Sequence, residues 1–190
     1  IKKTRFIERK SKYQLLRYDI EEKLKPLIIK NIPNENYDVI VISDYNKGYL
    51  RNETITEIFD KFPNSKIFVD TKREDISCFK KCVIKVNEKE SNKLKFQNRT
   101  TKIITTLGKS GCKYLGKTYT VDAVEVHDVC GAGDTFLAAL VVRWLETKDI
   151  VSAIKTANNC ASLSVTKLGC YTIKREEYEN LRVWYRRDYM

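Results

Sequence analysis

Asp128-Val129-Cys130-Gly131-Ala132-Gly133-Asp134 is the stretch whose residue types and spacing could do chemistry. Its Gly-Ala-Gly turn opens directly onto Thr135-Phe136-Leu137-Ala138-Ala139-Leu140, and the apolar pattern predicts a helix over Ala132–Leu145. The first N–H groups of a helix have no partner within it. With no bulky side chains in front of them they make a site for an anion such as phosphate. Asp134 stands at the mouth of that site, where a carboxylate would repel an anion. It makes sense there as a general base that takes a proton from an attacking hydroxyl. An anion cradle beside a base suggests phosphoryl transfer to an alcohol. An Asp in a first helical turn is also favoured by the helix dipole alone, so the rest of the chain has to decide between the two.

The elements that would hold this turn alternate between strand and helix. Residues 5–19 fit two short strands around Glu8-Arg9-Lys10-Ser11, a hairpin. Ile20 to Asn31 has helical spacing at Leu24, Leu27 and Ile28, with Pro26 marking a break or a first turn. Tyr37 to Ser43 is a continuous apolar run, as expected for a strand buried on both faces. Asn52 can cap a helix reaching Phe62, with Ile55, Ile58, Phe59 and Phe62 on one side. Strands follow at Lys66–Asp70, Cys82–Val86 and Thr101–Thr106, then a hairpin turning at Gly116. Ile150–Val165 and Arg175–Val183 read as the closing helices. Strands alternating with helices predict an α/β fold with a mostly parallel sheet. Ligands of such sheets bind at the carboxyl ends of the strands. Asp44–Gly48, Asp70–Lys72, Asn87–Glu90 and Gly108–Gly111 all fall there, and Gly131–Asp134 follows Val124-Glu125-Val126-His127. All five clusters are expected on one edge of the sheet. His127 reads as packed or structural, and Trp144 and Trp184 as packing aromatics.

A length of 190 residues fits one domain with a sizeable core. The net charge of +11 is spread along the chain rather than gathered in one basic tract. It is expected to be a solvated surface whose field draws in ATP and phosphorylated substrates. A nucleic-acid reading of that charge predicts a steep loss of affinity with salt and leaves the ordered motifs unexplained. No apolar run reaches the roughly 18 residues of a membrane span. No apolar stretch of a signal peptide follows Ile1-Lys2-Lys3-Thr4-Arg5, and the chain does not begin with Met, so it is expected to be cytoplasmic and a fragment or a processed product. Among the six cysteines only Cys78 and Cys82 have zinc-like spacing, far in sequence from the single His127; scattered, reduced thiols are expected, with Cys130 a small filler in the turn.

Asp128 to Asp134, followed by Thr135-Phe136 and Ala138-Ala139, resembles the C-terminal signature of the ribokinase (PfkB-type) sugar kinases. Three further stretches fit in the same order. Asn87-Glu88-Lys89-Glu90 resembles the family's N-x-x-E motif, and Thr106-Leu107-Gly108-Lys109-Ser110-Gly111 its T-x-G-x-x-G nucleotide loop. Ala157-Asn158 and Lys167-Leu168-Gly169 resemble the helix and turn beside the adenine. Thr4-Arg5-Phe6, Tyr13 to Arg17, Ser43 to Gly48 and Val69-Asp70-Thr71-Lys72 are similar to the branch that phosphorylates heptose 7-phosphate to the 1,7-bisphosphate.

The resemblance implies a ribokinase-like three-layer α/β/α (Rossmann-like) fold in which residues 1–19 are strands of a β-lid. The whole chain, 1–190, would be the C-terminal, ATP-binding and catalytic part of the domain. A complete kinase of this kind would have roughly a hundred further residues, a domain-scale piece, before it. Asp134 would accept the proton of the sugar hydroxyl, and the N–H groups of Gly131, Ala132 and Gly133 would stabilise the transferring phosphoryl group. Asn87 and Glu90 would organise Mg²⁺ and its waters, although the same two residues make a capping box. Thr106, Gly108, Gly111 and Asn158 would line ATP. Asp44, Lys47 and Lys72 are candidates for the phosphate end of a substrate or for ATP. A monovalent cation such as K⁺ is implied near Asp128. Partners implied are the sugar phosphate, ATP, and either a second copy (a homodimer) or the missing N-terminal segment, with no nucleic acid and no membrane. The competing reading is a non-catalytic nucleotide-binding remnant or subunit.

Overall fold

The computed structural model describes residues 2–11, 13–22, 24–95 and 99–183. Trp184 lies outside them. β1 (Lys2–Ile7) and β2 (Gln14–Ile20) form the expected antiparallel hairpin, turning through Glu8 to Ser11 and standing as a sheet of its own. The main sheet has six strands in chain order: β3 (Val39–Asp44), β4 (Lys66–Thr71), β5 (Val83–Asn87), β6 (Lys102–Thr106), β7 (Cys112–Tyr114) and β8 (Lys117–Tyr119). β3 to β6 pair in parallel, and β7 and β8 add antiparallel strands at one edge.

Helices cover both faces of this sheet, as parallel strands require. On one side α1 (Asn52–Lys61) buries Ile55 and Ile58 against Ile67, Val69, Ile84 and Val86. Ile76 and Phe79, from the loop after β4, complete that cluster. On the other side α3 (Ala132–Thr147) and α4 (Ile150–Val165) pack on Phe68, Val83 and Ile104 through Phe136, Leu140, Ile154 and Ala157. Between these come the single turn of α2 (Glu88–Ser91) and, last, α5 (Arg175–Val183). α4 begins where its spacing predicts, with the Asp149 carboxylate accepting from the N–H groups of Val151 and Ser152.

Four expectations fail for identifiable reasons. Ile20 to Asn31 is not a helix: Ile20 ends β2 and only Ile29–Asn31 makes a 3₁₀ turn. Pro26 cannot supply a helical N–H, and Leu27 instead donates its N–H to the Tyr49 carbonyl at 2.8 Å while its side chain joins the α1-side core. β3 is not buried on both faces, because it is the edge strand of the sheet: Val41 is 49% exposed where Ile42 is 5%. Asn52 does not cap α1. Arg51 occupies that position, and the Asn52 Oδ1 accepts the Arg73 guanidinium at 2.7 Å. Val124–His127 is no strand; the N–H groups of His127 and Asp128 bind the Val165 carbonyl, and the His127 ring is exposed. Trp144 is partly buried, edge-on to Phe68 at 5.7 Å.

Candidate active site at the start of helix α3

Gly131 precedes α3 with a φ of 76°, a left-handed conformation that favours glycine. Its carbonyl accepts the Thr135 N–H at 2.8 Å, which starts the helix and leaves the N–H groups before Thr135 outside its ladder. Phe136, Leu137 and Leu140 anchor the helix in the core, so the turn is fixed from behind. Asp134 is exposed, one residue beyond the two glycines. Asp128 braces the turn from the front: one carboxylate oxygen accepts the Cys130 N–H at 2.9 Å and the other the Gly169 N–H at 3.0 Å. A single side chain thereby ties the turn to the loop after α4. The Cys130 and Cys170 sulfurs lie 2.6 Å apart across the same junction, and the hydrogen bond between them, with some burial, pushes the Cys130 thiol up. Arg5 of the hairpin reaches within 3.8 Å of the Cys130 sulfur.

The turn borders two hollows. One, of about 370 Å³, is lined by Thr106, Gly108, Gly111, Ala132, Gly133 and Asn158, with apolar walls from Val121 to Val129. All four residues expected to line a nucleotide and two of the three anion-turn residues thus meet in one cleft. The second hollow, of about 580 Å³, is lined by Gly131, Asp134, Thr135, Ala138 and residues 170–175. Asp134 lines this second hollow and not the nucleotide-side cleft.

Local packing explains why these residues occupy the cleft. Gly111 has a φ of 85°, and a Cβ on it would fall 2.0 Å from the Tyr119 carbonyl oxygen, so only glycine lets β7 leave the loop against β8. Asn158 is buried, and its amide donates to that same Tyr119 carbonyl at 2.9 Å. It ties α4 to the edge hairpin and so sets the width of the cleft.

Asn87 and Glu90 form the capping box. Asn87 Oδ1 accepts the Glu90 N–H at 2.9 Å, and Glu90 Oε2 accepts the Asn87 N–H at 2.8 Å. The other Glu90 oxygen accepts from the Lys72 ammonium at 2.6 Å. Burial works against the charged Glu90, but the Asn87 N–H and Lys72 outweigh it and hold the carboxyl below its ordinary pKa. Asp44 is 4% exposed and already engaged, by Thr71 Oγ1 at 3.2 Å, the Asn46 N–H at 2.9 Å and the Arg73 guanidinium. Lys47 pairs with Glu21. Neither of these two lines the hollows beside the turn.

Sequence reasoning missed Lys85. It lies in β5 with 4% exposure, and its ammonium donates to Asp70 Oδ2 at 2.6 Å. The signal was present: a lysine inside a strand buried on both faces has to be paired with an acid.

The pattern of the pfkB family carbohydrate kinase matches residues 15–177. The bifunctional protein HldE of Campylobacter curvus is 30% identical over 199 residues, covering 92% of this chain and 42% of that protein. Among solved structures, phosphofructokinase-2 from Escherichia coli in complex with potassium superposes with a TM-score of 0.66 at 16% identity, over 78% of this chain and 57% of that one. Ribokinase from Thermotoga maritima gives 0.62 at 24% identity, over 76% and 56%. The chain thus has the ribokinase-like α/β fold, and it spans less than half the length of that curated relative.

Proposed function

Since the chain belongs to the pfkB family of carbohydrate kinases, we propose that it transfers the terminal phosphoryl group of ATP to a hydroxyl of a sugar or sugar phosphate. The observation that carries this is the split at the anion turn: expected nucleotide residues on one side, Asp134 on the other. Phosphoryl transfer needs little covalent chemistry from the protein and much positioning. Here the N–H groups of Gly131 and Gly133, and that of Ala132 on leaving the Val129 carbonyl to which it donates at 3.3 Å, receive the phosphoryl group in flight, and Asp134 takes the proton of the attacking hydroxyl.

The nucleotide-side residues fit the group they would hold, while Asn87, Glu90 and Lys72 line neither hollow. Thr106, Gly108, Gly111 and Asn158 line a cleft with apolar walls suited to a flat base. Asn87 and Glu90 would hold Mg²⁺ through its waters, since both Glu90 oxygens already accept hydrogen bonds; Mg²⁺ keeps several waters in such sites. The metal would offset charge on the phosphates. Lys72, bound to Glu90, adds a cation beside the same groups. A monovalent cation near Asp128 would have to share carboxylate oxygens that already brace the turn.

The acceptor we assign is heptose 7-phosphate, phosphorylated on its anomeric hydroxyl. The hairpin segments quoted above support it, as does the likeness to a bifunctional protein HldE. Pairing of the hairpin with a second copy, or with a preceding segment, would cover its exposed Phe6, Leu15 and Leu16. Among the described residues no helix is long and apolar enough to cross a membrane, and we place the chain in the cytoplasm on its free cysteines.

The test is a coupled ADP-release assay with heptose 7-phosphate and a panel of sugars, with Asp134→Asn as control. Turnover that depends on Asp134 is expected. Retained ADP binding with no turnover on any acceptor would leave the nucleotide-binding remnant as the better description.

A further inference from the structure

Two cysteines 40 residues apart meet at the anion turn. Cys130 immediately precedes Gly131, and Cys170 follows Gly169 in the loop after α4. Their sulfurs lie 2.6 Å apart. Even carbon atoms in best contact stand about 3.5–4.0 Å apart, and a disulfide bond is about 2.05 Å, so the two sulfurs are nearer to bonding than to packing. The backbone holds them there. Asp128 accepts the N–H of Cys130 with one oxygen and that of Gly169 with the other, so one carboxylate aligns both segments. Cys170 also lies over the turn itself: a Cβ on Gly131 would come 3.6 Å from its Cβ and 3.7 Å from its sulfur.

Packing does not account for the pair. Cys82, Cys112 and Cys160 are buried, and burial pushes each of those thiols up to about 12, which makes them inert core residues. Cys170 is exposed and Cys130 only partly buried, so neither is sheltered from a solute. Cys170 also lines the hollow that Asp134 lines. Exposure makes Cys170 the sulfur that an oxidant meets first. Cys130, pushed up by its hydrogen bond to Cys170, is held toward the thiol form and is placed to react second. The Arg5 guanidinium, 3.8 Å from Cys130 Sγ, offsets charge on that sulfur as its proton leaves. An exposed sulfur beside a resolving one is the arrangement of redox-sensing thiols. In a reducing compartment the disulfides that do form are mostly transient ones of this kind.

We propose that Cys130 and Cys170 are a redox modification site, which a hydroperoxide joins in a reversible disulfide that locks the anion turn to the wall formed by residues 170–175. The Cys170 thiolate attacks one peroxide oxygen, the O–O bond breaks, and the other oxygen leaves and is protonated to water. The Cys130 sulfur then attacks the sulfenic sulfur, loses its proton and expels the hydroxyl as a second water. With hydrogen peroxide, two thiols give up two protons and two electrons in all, and one disulfide and two waters result. A dithiol restores both thiols by exchange and is itself oxidised to a disulfide. The lock bears on catalysis through Ala132. Its N–H donates to the Val129 carbonyl at 3.3 Å and has to leave it to meet a phosphoryl group, and the span that must open contains Cys130. A disulfide at Cys130 opposes that movement, so the oxidised chain transfers more slowly. This consequence, unlike the disulfide itself, rests on the phosphoryl-transfer reading above.

The experiment treats the full chain with hydrogen peroxide and then with dithiothreitol, and compares wild type with Cys130→Ser and Cys170→Ser. The first readout is peptide mass after proteolysis with free thiols blocked. A peptide carrying Cys130 joined to one carrying Cys170, present after peroxide and absent after dithiothreitol, is expected in wild type and in neither variant. The second is the melting temperature. It should rise by about 5 °C or more in oxidised wild type, the scale for closing a loop of this length, and stay in place in both variants. The third is turnover with ATP and heptose 7-phosphate before and after peroxide, each protein against itself. We expect a loss of about 10-fold or more in wild type, reversed by dithiothreitol, and none in the variants, since a displacement of about 1 Å near reacting atoms costs up to about 100-fold. Peroxide that leaves both thiols free, or carries either to sulfinic acid without the cross-link, overturns the site. A cross-link that does not raise the melting temperature overturns the lock, and one that leaves turnover unchanged overturns its effect on transfer. If the reduced wild type phosphorylates no sugar, the kinase reading falls, and the cross-link with its melting shift still decides the thiol pair.

Discussion

The nucleotide-side cleft and the hairpin-side face of this molecule are built in opposite ways. Around the cleft, β5, β6 and the edge hairpin β7–β8 are clamped under α3 and α4, and Ile104, Cys112, Phe136 and Ala157 are fully or nearly buried. Two of the polar residues that line it are held by backbone carbonyls, Asn158 by that of Tyr119 and Thr106 by that of Val86. On the hairpin side, β1 and β2 leave Phe6, Ile7, Leu15, Leu16 and Tyr18 more than half exposed, and β3 presents Val41 to solvent. Two strands alone gain little from their pairing. One region therefore carries its own rigidity, while the other depends on what covers it. On the proposed function, phosphate chemistry would fall to the rigid region and recognition of an acceptor to the open one. Asp134 stands where they meet.

The largest effect that sharpens this division is at the meeting point. Asp134→Asn is expected to lower kcat by about 10²–10⁴-fold, the range for a general base, and to leave ADP affinity unchanged, because the residue lines the other hollow. Loss of ADP binding in this variant, measured by calorimetry, would erase the boundary between the two regions. Gly111→Ala tests the rigid side alone. Its new Cβ would strike the Tyr119 carbonyl in a left-handed backbone conformation, which we expect to cost about 2–4 kcal/mol in urea unfolding and to open the cleft to ADP loss. Asp70→Asn/Lys85→Met has a smaller effect on stability: replacing a buried ion pair by uncharged groups changes it by about 0 to 4 kcal/mol, often upward. A double variant that melts at or above the wild-type temperature but turns over slowly would show that the charge is kept for chemistry. One that melts well below it would make the pair structural.

The same division governs what could be read from sequence. Where helices and strands are packed on contiguous partners, periodicity and capping suffice: Ile150–Val165 begins and ends where the pattern says, and the last helix begins at Arg175 as expected. The glycine motifs placed the cleft because each answers a local backbone demand. Contacts set by sheet register were less legible. Lys85 and Asp70 are 15 residues apart and become partners only once β4 and β5 align. Asp44 looked available because its partners Thr71 and Arg73 arrive from the next strand and its loop. The apolar spacing of Ile20 to Asn31 imitated a helix because Leu27 and Ile29 are needed by the sheet rather than by each other. Val41 misled for a related reason: a run of β-branched residues announces a strand, and says nothing about its place in the sheet.

That place gives the smallest expected effect and the finest test of the comparison. Ile84 and Val41 are both aliphatic residues in parallel strands, one 0% and the other 49% exposed. Ile84→Ala removes side-chain volume from a closed core and is expected to cost about 2–5 kcal/mol in urea unfolding. Val41→Lys puts a charge on a face that has no cover among the described residues, so the expected change is within about 0.5 kcal/mol. The cavity beside Val41 is lined by Leu27, Val39, Ile40 and Tyr49, which leaves the lysine stem apolar surface to lie along with its ammonium in water. If Val41→Lys instead costs several kcal/mol, that face is covered in solution. Sedimentation at two concentrations then separates the causes: a loss of mass in the variant marks a second copy as the cover, and an unchanged mass marks another segment of the same protein.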